Sequence, residues 1–357
     1  MGIANDGGAG MTKKRFLVTG GAGFMGINLI RCLLERGHDV RSYDSAPFSY
    51  PEADQISVLQ GDIRSRDLYD TAFEGVDVVV HCAAALPLAA PEEIRSTNVD
   101  GTRMMLEAAC EREIERFIHI SSTAVYGIPD HHPLVESDPM IGVGPYGDSK
   151  VQAEAVCAEF RGKGVILPVL RPKSFVGPER LGAFELLYSF ASGRHNFPVL
   201  GSGGNLYQLL DVDDLCQAVL LCAHGEAGVV NDTFNIGAEN FGSLRQSFQA
   251  VLDRAGFGKR VISVPATPAI WTLRVLEAVN LSPLYKWIYE TASKDSFVSI
   301  ERAKERLNYQ PVYSNEEALI RNYEWFLENR FCISAQPGVS HRVPWRKGAL
   351  TLVRWVM

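Results

Sequence analysis

The run RFLVTGGAGFMGINLIRCLLERG (15–37) constrains this chain more than any other stretch. RFLVTG reads as a short apolar strand, and FMGINLIRCLLERG carries apolar residues at helical spacing up to a stop at Gly37. Between them stand Gly20, Gly23 and Gly26, three residues apart. Glycines at a strand–turn–helix junction let backbone approach a ligand closely, and the helix N-terminus offers unpaired N–H groups to an anion. Such a unit sends its helix back across a sheet, so strands and helices should alternate further along.

They do. DVRSYD (39–44), ISVLQGD (56–62), VDVVVHCAA (76–84), RFIHISS (116–122) and VILPVLRP (165–172) read as strands. Helical stretches start near Arg66, run through STNVDGTRMMLEAACER (96–112), and carry Tyr146. Nearly continuous apolar strands imply a parallel sheet covered on both faces. The expected fold class is α/β, a doubly wound parallel Rossmann-type sheet with a smaller C-terminal substrate lobe. After Pro172 the texture becomes richer in Gly and Pro, and TFNIG (233–237) looks like a strand returning to the sheet. Residues 260–330 look helical, with SIERAKERLNY and EEALIRNYEWFLENR the strongest stretches. The expected organisation is a flexible leader over 1–12, an NAD-binding domain over 13–175, a mainly substrate-binding lobe over 176–330, and a tail over 331–357.

Charge and cysteines narrow the function classes. With 35 basic and 42 acidic residues, net −7, nothing favours nucleic acid as a partner. The seven cysteines include no C-x-x-C pair and several sit in apolar runs, as Cys82 does. They read as small buried hydrophobes of a reducing compartment, with no disulfide frame and no metal site. No segment has the ~20 apolar residues of a spanning helix. WRKGALTLVRWVM at the end, wound as a helix, groups Trp345, Ala349, Leu352, Val353 and Val356 opposite Lys347, Thr351 and Arg354. That basic amphipathic helix suits an anionic membrane surface; the other reading packs it on the protein's own body or on a second subunit.

Two further features carry chemistry. Asp44 closes the second strand 24 residues after Gly20, where a carboxylate suits the ribose hydroxyls of an NAD adenosine and repels a 2′-phosphate. PYGDSK (145–150) sets Tyr146 and Lys150 four apart, on one helix face. A phenol beside an ammonium can exchange a proton with an alcohol or ketone, its pKa lowered by the charge. His81 and His119 lie in apolar strands and read as core histidines, and Asp213 and Asp214 of VDDL read as helix caps.

With GDIR, HCAAA, NVDGT, SSTAVYG and YGDSK in order after the glycines, residues 15–330 resemble the extended short-chain dehydrogenase/reductase family, in its NAD-dependent epimerase/dehydratase branch. The resemblance implies NAD as cofactor and Tyr146 as acid/base. It implies that Lys150 lowers the pKa of Tyr146 and binds the nicotinamide ribose, and that Ser122 hydrogen-bonds the reacting oxygen. It places Gly20, Gly23, Phe24, Met25, Gly26, Asp44, Asp62, Ile63, Ala83, Ala84 and Asn98 on the cofactor side. Leu86, Thr123, Ser174 and Tyr207 fall on the substrate side.

The chain also departs from the pattern. Thr123 and Ala124 replace the Asp–Glu pair of sugar-nucleotide 4,6-dehydratases, which disfavours dehydration. Ser174 stands for the Asn of R-x-x-N, and Tyr207 stands where many relatives carry a diphosphate-binding Arg. RP at 171–172 also resembles the hydroxysteroid-dehydrogenase branch. The resemblance therefore implies an epimerase acting at a secondary carbinol of a nucleotide sugar or related glycosyl compound. The alternatives are a net dehydrogenase or reductase of a hydroxysteroid- or lipid-like substrate, and a non-catalytic NAD-binding scaffold. A cytoplasmic homodimer, paired through the helices after strands four and five, is the implied state.

Overall fold

A computed structural model of the chain describes residues 12–268, 270, 271 and 293–331. The leader, apart from residue 12, and the tail, apart from Phe331, lie outside the described residues, as does Cys332. The strands are β1 (Arg15–Thr19), β2 (Asp39–Asp44), β3 (Ser57–Gln60), β4 (Val78–His81), β5 (Arg116–Ile120), β6 (Val169–Pro172), β7 (Phe175–Val176), β8 (Phe197–Leu200), β9 (Leu210–Asp211), β10 (Thr233–Ile236) and β11 (Val261–Val264). The helices are α1 (Phe24–Glu35), α2 (Tyr69–Phe73), α3 (Pro91–Arg95), α4 (Thr102–Glu111), α5 (Gly144–Phe160), α6 (Phe184–Ser192), α7 (Val212–His224), α8 (Ala227–Val230), α9 (Leu244–Ala255), α10 (Glu301–Leu307) and α11 (Asn315–Asn329).

Seven strands form one parallel sheet in the order β10-β6-β5-β4-β1-β2-β3. TFNIG does return to it, as β10 beside β6. Apolar residues of each strand alternate between two cores, as a period of two requires. Phe16, Val18, Val78, Val80, Ile118 and Ile120 meet Leu29, Ile30 and Leu33 of α1 and Leu215 and Val219 of α7. Leu17, Val79 and Phe117 meet Met105 and Leu106 of α4 and Val156, Cys157 and Phe160 of α5. A third core joins α6, β8, α9 and α11 through Leu187, Tyr188, Phe190, Val251, Leu319 and Tyr323.

Local structure departs from the sequence expectation in four places. The helix near Arg66 is only Tyr69–Phe73. The helix through 96–112 opens with a π-helical turn over Ser96–Gly101 before α4. Within 260–330, VISV forms β11, paired with β8, because β-branched residues suit a pleated edge better than a helix. The cap of α7 is Asp211, whose side chain accepts from the Asp213 N–H at 2.8 Å. Asp213 instead pairs with Arg321 at 2.6 Å, and Asp214 accepts from the Val312 and Tyr313 N–H groups.

Candidate active site at the carboxyl edge of the sheet

The strand order reverses between β1 and β4, whose ends lie level, Thr19 beside His81. In open α/β sheets the crevice outside the carboxyl ends at such a point receives the ligand. Here the loops after β1 and β4 meet. Gly20 has φ +68°, and a Cβ on it would lie 2.8 Å from the Ala83 nitrogen. A Cβ on Gly26 would lie 2.2 Å from the Gly20 carbonyl oxygen, so the helix can approach the turn this closely only without a side chain there. Gly23 is the residue before α1 and donates to the Gly20 carbonyl at 3.0 Å. Gly21 belongs to the same cradle: a Cβ would strike the Ser42 hydroxyl at 2.2 Å. Sequence spacing alone had singled out only the other three. Phe24 and Met25 are buried, and the Phe24 ring stacks on Phe175 at 5.3 Å. Their backbone, not their side chains, opens α1.

Asp44 ends β2 at the crevice; its Oδ2 accepts from the Ala22 N–H at 3.0 Å and its Oδ1 from the Ala46 N–H at 2.9 Å. The carboxylate thus holds the glycine turn and β2 in register. Asp62 is paired with Arg64 at 2.5 Å, which holds its carboxyl below the usual range, and Ile63 is buried under Gly101. Ala83, Ala84 and Leu86 line the segment after β4, each partly open. The Asn98 side chain is buried and fully occupied by protein. Its Oδ1 accepts from the Ala85 N–H at 2.7 Å, and its Nδ2 donates to the Ala85 carbonyl and to Ser149 Oγ at 3.0 Å. Ser149 donates in turn to the Tyr146 carbonyl, so Asn98 ties the loop after β4 to α5.

Ser122 follows β5, and its Oγ accepts from the Ala124 N–H at 3.1 Å. It shares a hydrogen bond with the Tyr146 phenol. Gly147 lets α5 lie against this turn, since a Cβ there would be 3.2 Å from the Ala124 carbonyl. Lys150 is 4% exposed; its Nζ donates to the Ile120 carbonyl at 3.0 Å and lies 5.9 Å from the Tyr146 ring centroid. Burial pulls this ammonium down to about 8, and the Glu154 carboxylate one turn on pulls it back up.

The Tyr146 phenol is not depressed here. It keeps part of its surface in the cleft, yet burial of the hydroxyl pushes it up to about 12. The Ser122 hydrogen bond and the Arg180 charge oppose that rise without cancelling it, and Lys150 is directed at the strand carbonyl instead. Arg180 escaped the sequence reading: it is 9% exposed, lies 5.4 Å from the Phe24 ring centroid, and its Nε has no partner among the described residues. A buried guanidinium beside a glycine cradle fits an anionic ligand. On the far side, Tyr207 shares a hydrogen bond with Ser174, and Thr123 is half-buried next to Ser122. His81 and His119 are buried; His81 bonds Thr19 and Thr102, as a satisfied core histidine should, whereas neither ring nitrogen of His119 has a hydrogen-bond partner among the described residues.

Similarity to known proteins agrees with this crevice. Residues 16–237 match the NAD dependent epimerase/dehydratase family. An uncharacterised protein of Sinorhizobium fredii is 32% identical over 352 residues, 98% of this chain and 87% of its own length. A 3 beta-hydroxysteroid dehydrogenase/Delta 5-->4-isomerase of Mycobacterium tuberculosis is 30% identical over 339 residues, 85% of this chain and 88% of its own. The epimerase Mth375 of Methanothermobacter thermautotrophicus superposes with a TM-score of 0.76 at 25% identity, over 90% of this chain and 94% of that one. With a glycine cradle at the sheet's switch point and Asp44 at the end of the adjoining β2, the chain belongs to the NAD dependent epimerase/dehydratase family and is an NAD-dependent enzyme.

Proposed function

We propose that the protein is an epimerase-type oxidoreductase acting by reversible hydride transfer at a secondary carbinol of a nucleotide sugar or related glycosyl compound. The observation that carries the reading is the Ser122–Tyr146 hydrogen bond at the carboxyl edge, with Lys150 one turn along the same helix. Gly20, Gly21, Gly23 and Gly26 with the N-terminus of α1 would hold the dinucleotide's diphosphate, and Asp44 its ribose. When bound, the nicotinamide supplies hydride acceptance and return at the carbinol carbon.

In the reducing direction the protonated Tyr146 phenol gives its proton to the carbonyl oxygen; in the oxidising direction its minor phenolate form takes the carbinol proton. Ser122 donates to the same oxygen and holds the charge that develops on it. Lys150, buried and mostly cationic at neutral pH, stands one turn along the same helix, where it would hold the nicotinamide ribose. Epimerisation further needs the keto intermediate to stay in the cleft and present its other face. Thr123 and Ala124 supply no acid or base for eliminating water, so epimerisation is favoured over dehydration. Tyr207 in place of a diphosphate-binding Arg, together with the 30% identical hydroxysteroid dehydrogenase, favours a second reading: net oxidation or reduction of a hydroxysteroid-like substrate. By the family resemblance, the helices after strands four and five would pair two copies as a homodimer.

Tyr146→Phe tests the chemistry. The variant is expected to bind NAD as the parent does but to lose about 10²–10⁴-fold in turnover. Undiminished turnover would remove Tyr146 from the mechanism. Tight NAD retention, with no net change in nicotinamide absorbance during turnover, marks an epimerase. Accumulating NADH marks the dehydrogenase.

A further inference from the structure

Lys173 has no part in the chemistry above, yet it lies one residue beyond the end of β6 at the same edge. Ile120 of β5 pairs with Leu170 of β6, so Ser122 and Lys173 leave adjacent strands about one residue apart in height. Parallel strands run ~4.8 Å apart, which brings the two residues to one wall of the crevice. The Lys173 N–H donates to the Ile236 carbonyl at 2.8 Å, fixing its backbone to β10. The residue is 6% exposed, and its ammonium donates to Ser296 Oγ at 2.7 Å and lies 5.5 Å from the Tyr207 ring centroid. Tyr207 turns its phenol to Ser174. The setting is therefore an aromatic face and three hydroxyls.

No carboxylate among the described residues balances this amine, and burial alone pulls it down to about 7. A buried ammonium is ordinarily paired, because desolvation without a counter-charge is costly. Lys150, at the same edge, has Glu154; Lys173 has none among the described residues. Ser174, Tyr207 and Ser296 around it are each partly open, so a ligand in the crevice can reach the group they enclose.

We propose that Lys173 determines specificity by pairing with an oxyanion, a carboxylate or a phosphate, carried by the substrate near its reacting carbinol. The inference rests on the reading that this edge is the substrate cleft, and it narrows the substrate class to acidic compounds. Binding the anion supplies the missing counter-charge, and the amine takes up a proton from solvent to the extent that it was neutral.

The test uses full-length, NAD-loaded protein and two probes that need no known substrate. Acetic anhydride acetylates the neutral amine, releasing acetate and a proton, and peptide mass spectrometry reads the rate at Lys173. Acetate or inorganic phosphate is expected to slow that labelling at least about tenfold, and whichever protects better identifies the source of the oxyanion. A matched pair follows: UDP-glucuronate, which carries the extra carboxylate, is expected to bind at least about tenfold more tightly than UDP-glucose if carboxylate is the source. Lys173→Met should abolish that preference and Lys173→Arg should keep it, with NAD binding as the control for folding. Failure to label Lys173, labelling that neither anion slows, or a preference unchanged in Lys173→Met overturns the proposal. Tyr146→Phe should show the same protection as the parent, so a failure of the hydride-transfer reading is seen separately.

Discussion

At the residue scale, burial sets the protonation of the site more strongly than charge pairing does. Tyr146 at about 12 and Lys150 at about 8 are both displaced toward their neutral forms by desolvation. At neutral pH Tyr146 is therefore a protonated donor, already hydrogen-bonded to Ser122, and Lys150 remains largely a cation. The pair was visible in the spacing of PYGDSK; the balance of desolvation against charge was not, because it depends on what covers each group. The same physics acts on His81, held down to about 3 by burial, and on His119, also lowered. The unfolded imidazole titrates near 6.5, so between those values the unfolded chain binds more protons than the folded one. The stabilising contribution is complete above about pH 6.5 and is lost as pH falls toward 3. Urea unfolding from pH 6.5 to 4.5 should show stability falling by at most ~1.4 kcal/mol per pH unit for each histidine. His81→Gln should remove about one proton's worth of that slope. An unchanged slope would mean that His81 is not buried as a neutral group.

At the element scale, α5 is held over the sheet by a buried polar chain that no motif announced. Arg171 of β6 donates to both oxygens of Glu154 on α5, at 2.6 Å from Nη2 to Oε2, with both side chains 5% exposed. Ser121 donates to Glu154, and Arg171 donates to Tyr126, whose hydroxyl donates to Asn235 of β10. Glu154 lies one turn beyond Lys150, so the pair that anchors the helix also steadies the ammonium. Arg171→Met should strand the Glu154 charge and cost about 3–5 kcal/mol, read as a lower urea midpoint. The double variant Arg171→Met with Glu154→Leu should recover much of that loss. If the two changes simply add, the residues are not coupled. Arg171 had been noticed in sequence only as part of RP, since a residue 17 positions from its partner leaves no periodic trace.

At the scale of the whole molecule, the third core is tied to the segment entering β9 through a fully buried polar residue. Asn315, at the start of α11, accepts from the Leu209 N–H at 2.8 Å and donates to the Tyr207 carbonyl at 2.6 Å and to Ser247 at 3.2 Å. It thereby fixes the segment that carries Tyr207 against Ser174. Asn315→Ala should cost about 1–3 kcal/mol by leaving buried groups unpaired. It should also raise KM proportionately more than it lowers kcat, because the proposed hydride-transfer residues lie elsewhere, Ser122 just after β5 and Tyr146 and Lys150 on α5; an equal effect on both constants would argue against this placement. The parallel sheet, its glycine turn and the positions of Asp44, Tyr146 and Lys150 were legible in the residues, for a physical reason, while Ser122 was reached only through the family resemblance. Apolar periodicity, glycine at a tight turn and side chains one helical turn apart are local properties, written within a few positions of one another. Gly21, Arg171, Arg180 and Lys173 gained their significance only through folding. Close approach, burial and the absence of a neutralising partner are relations among residues tens to hundreds of positions apart, and only packing brings those residues together.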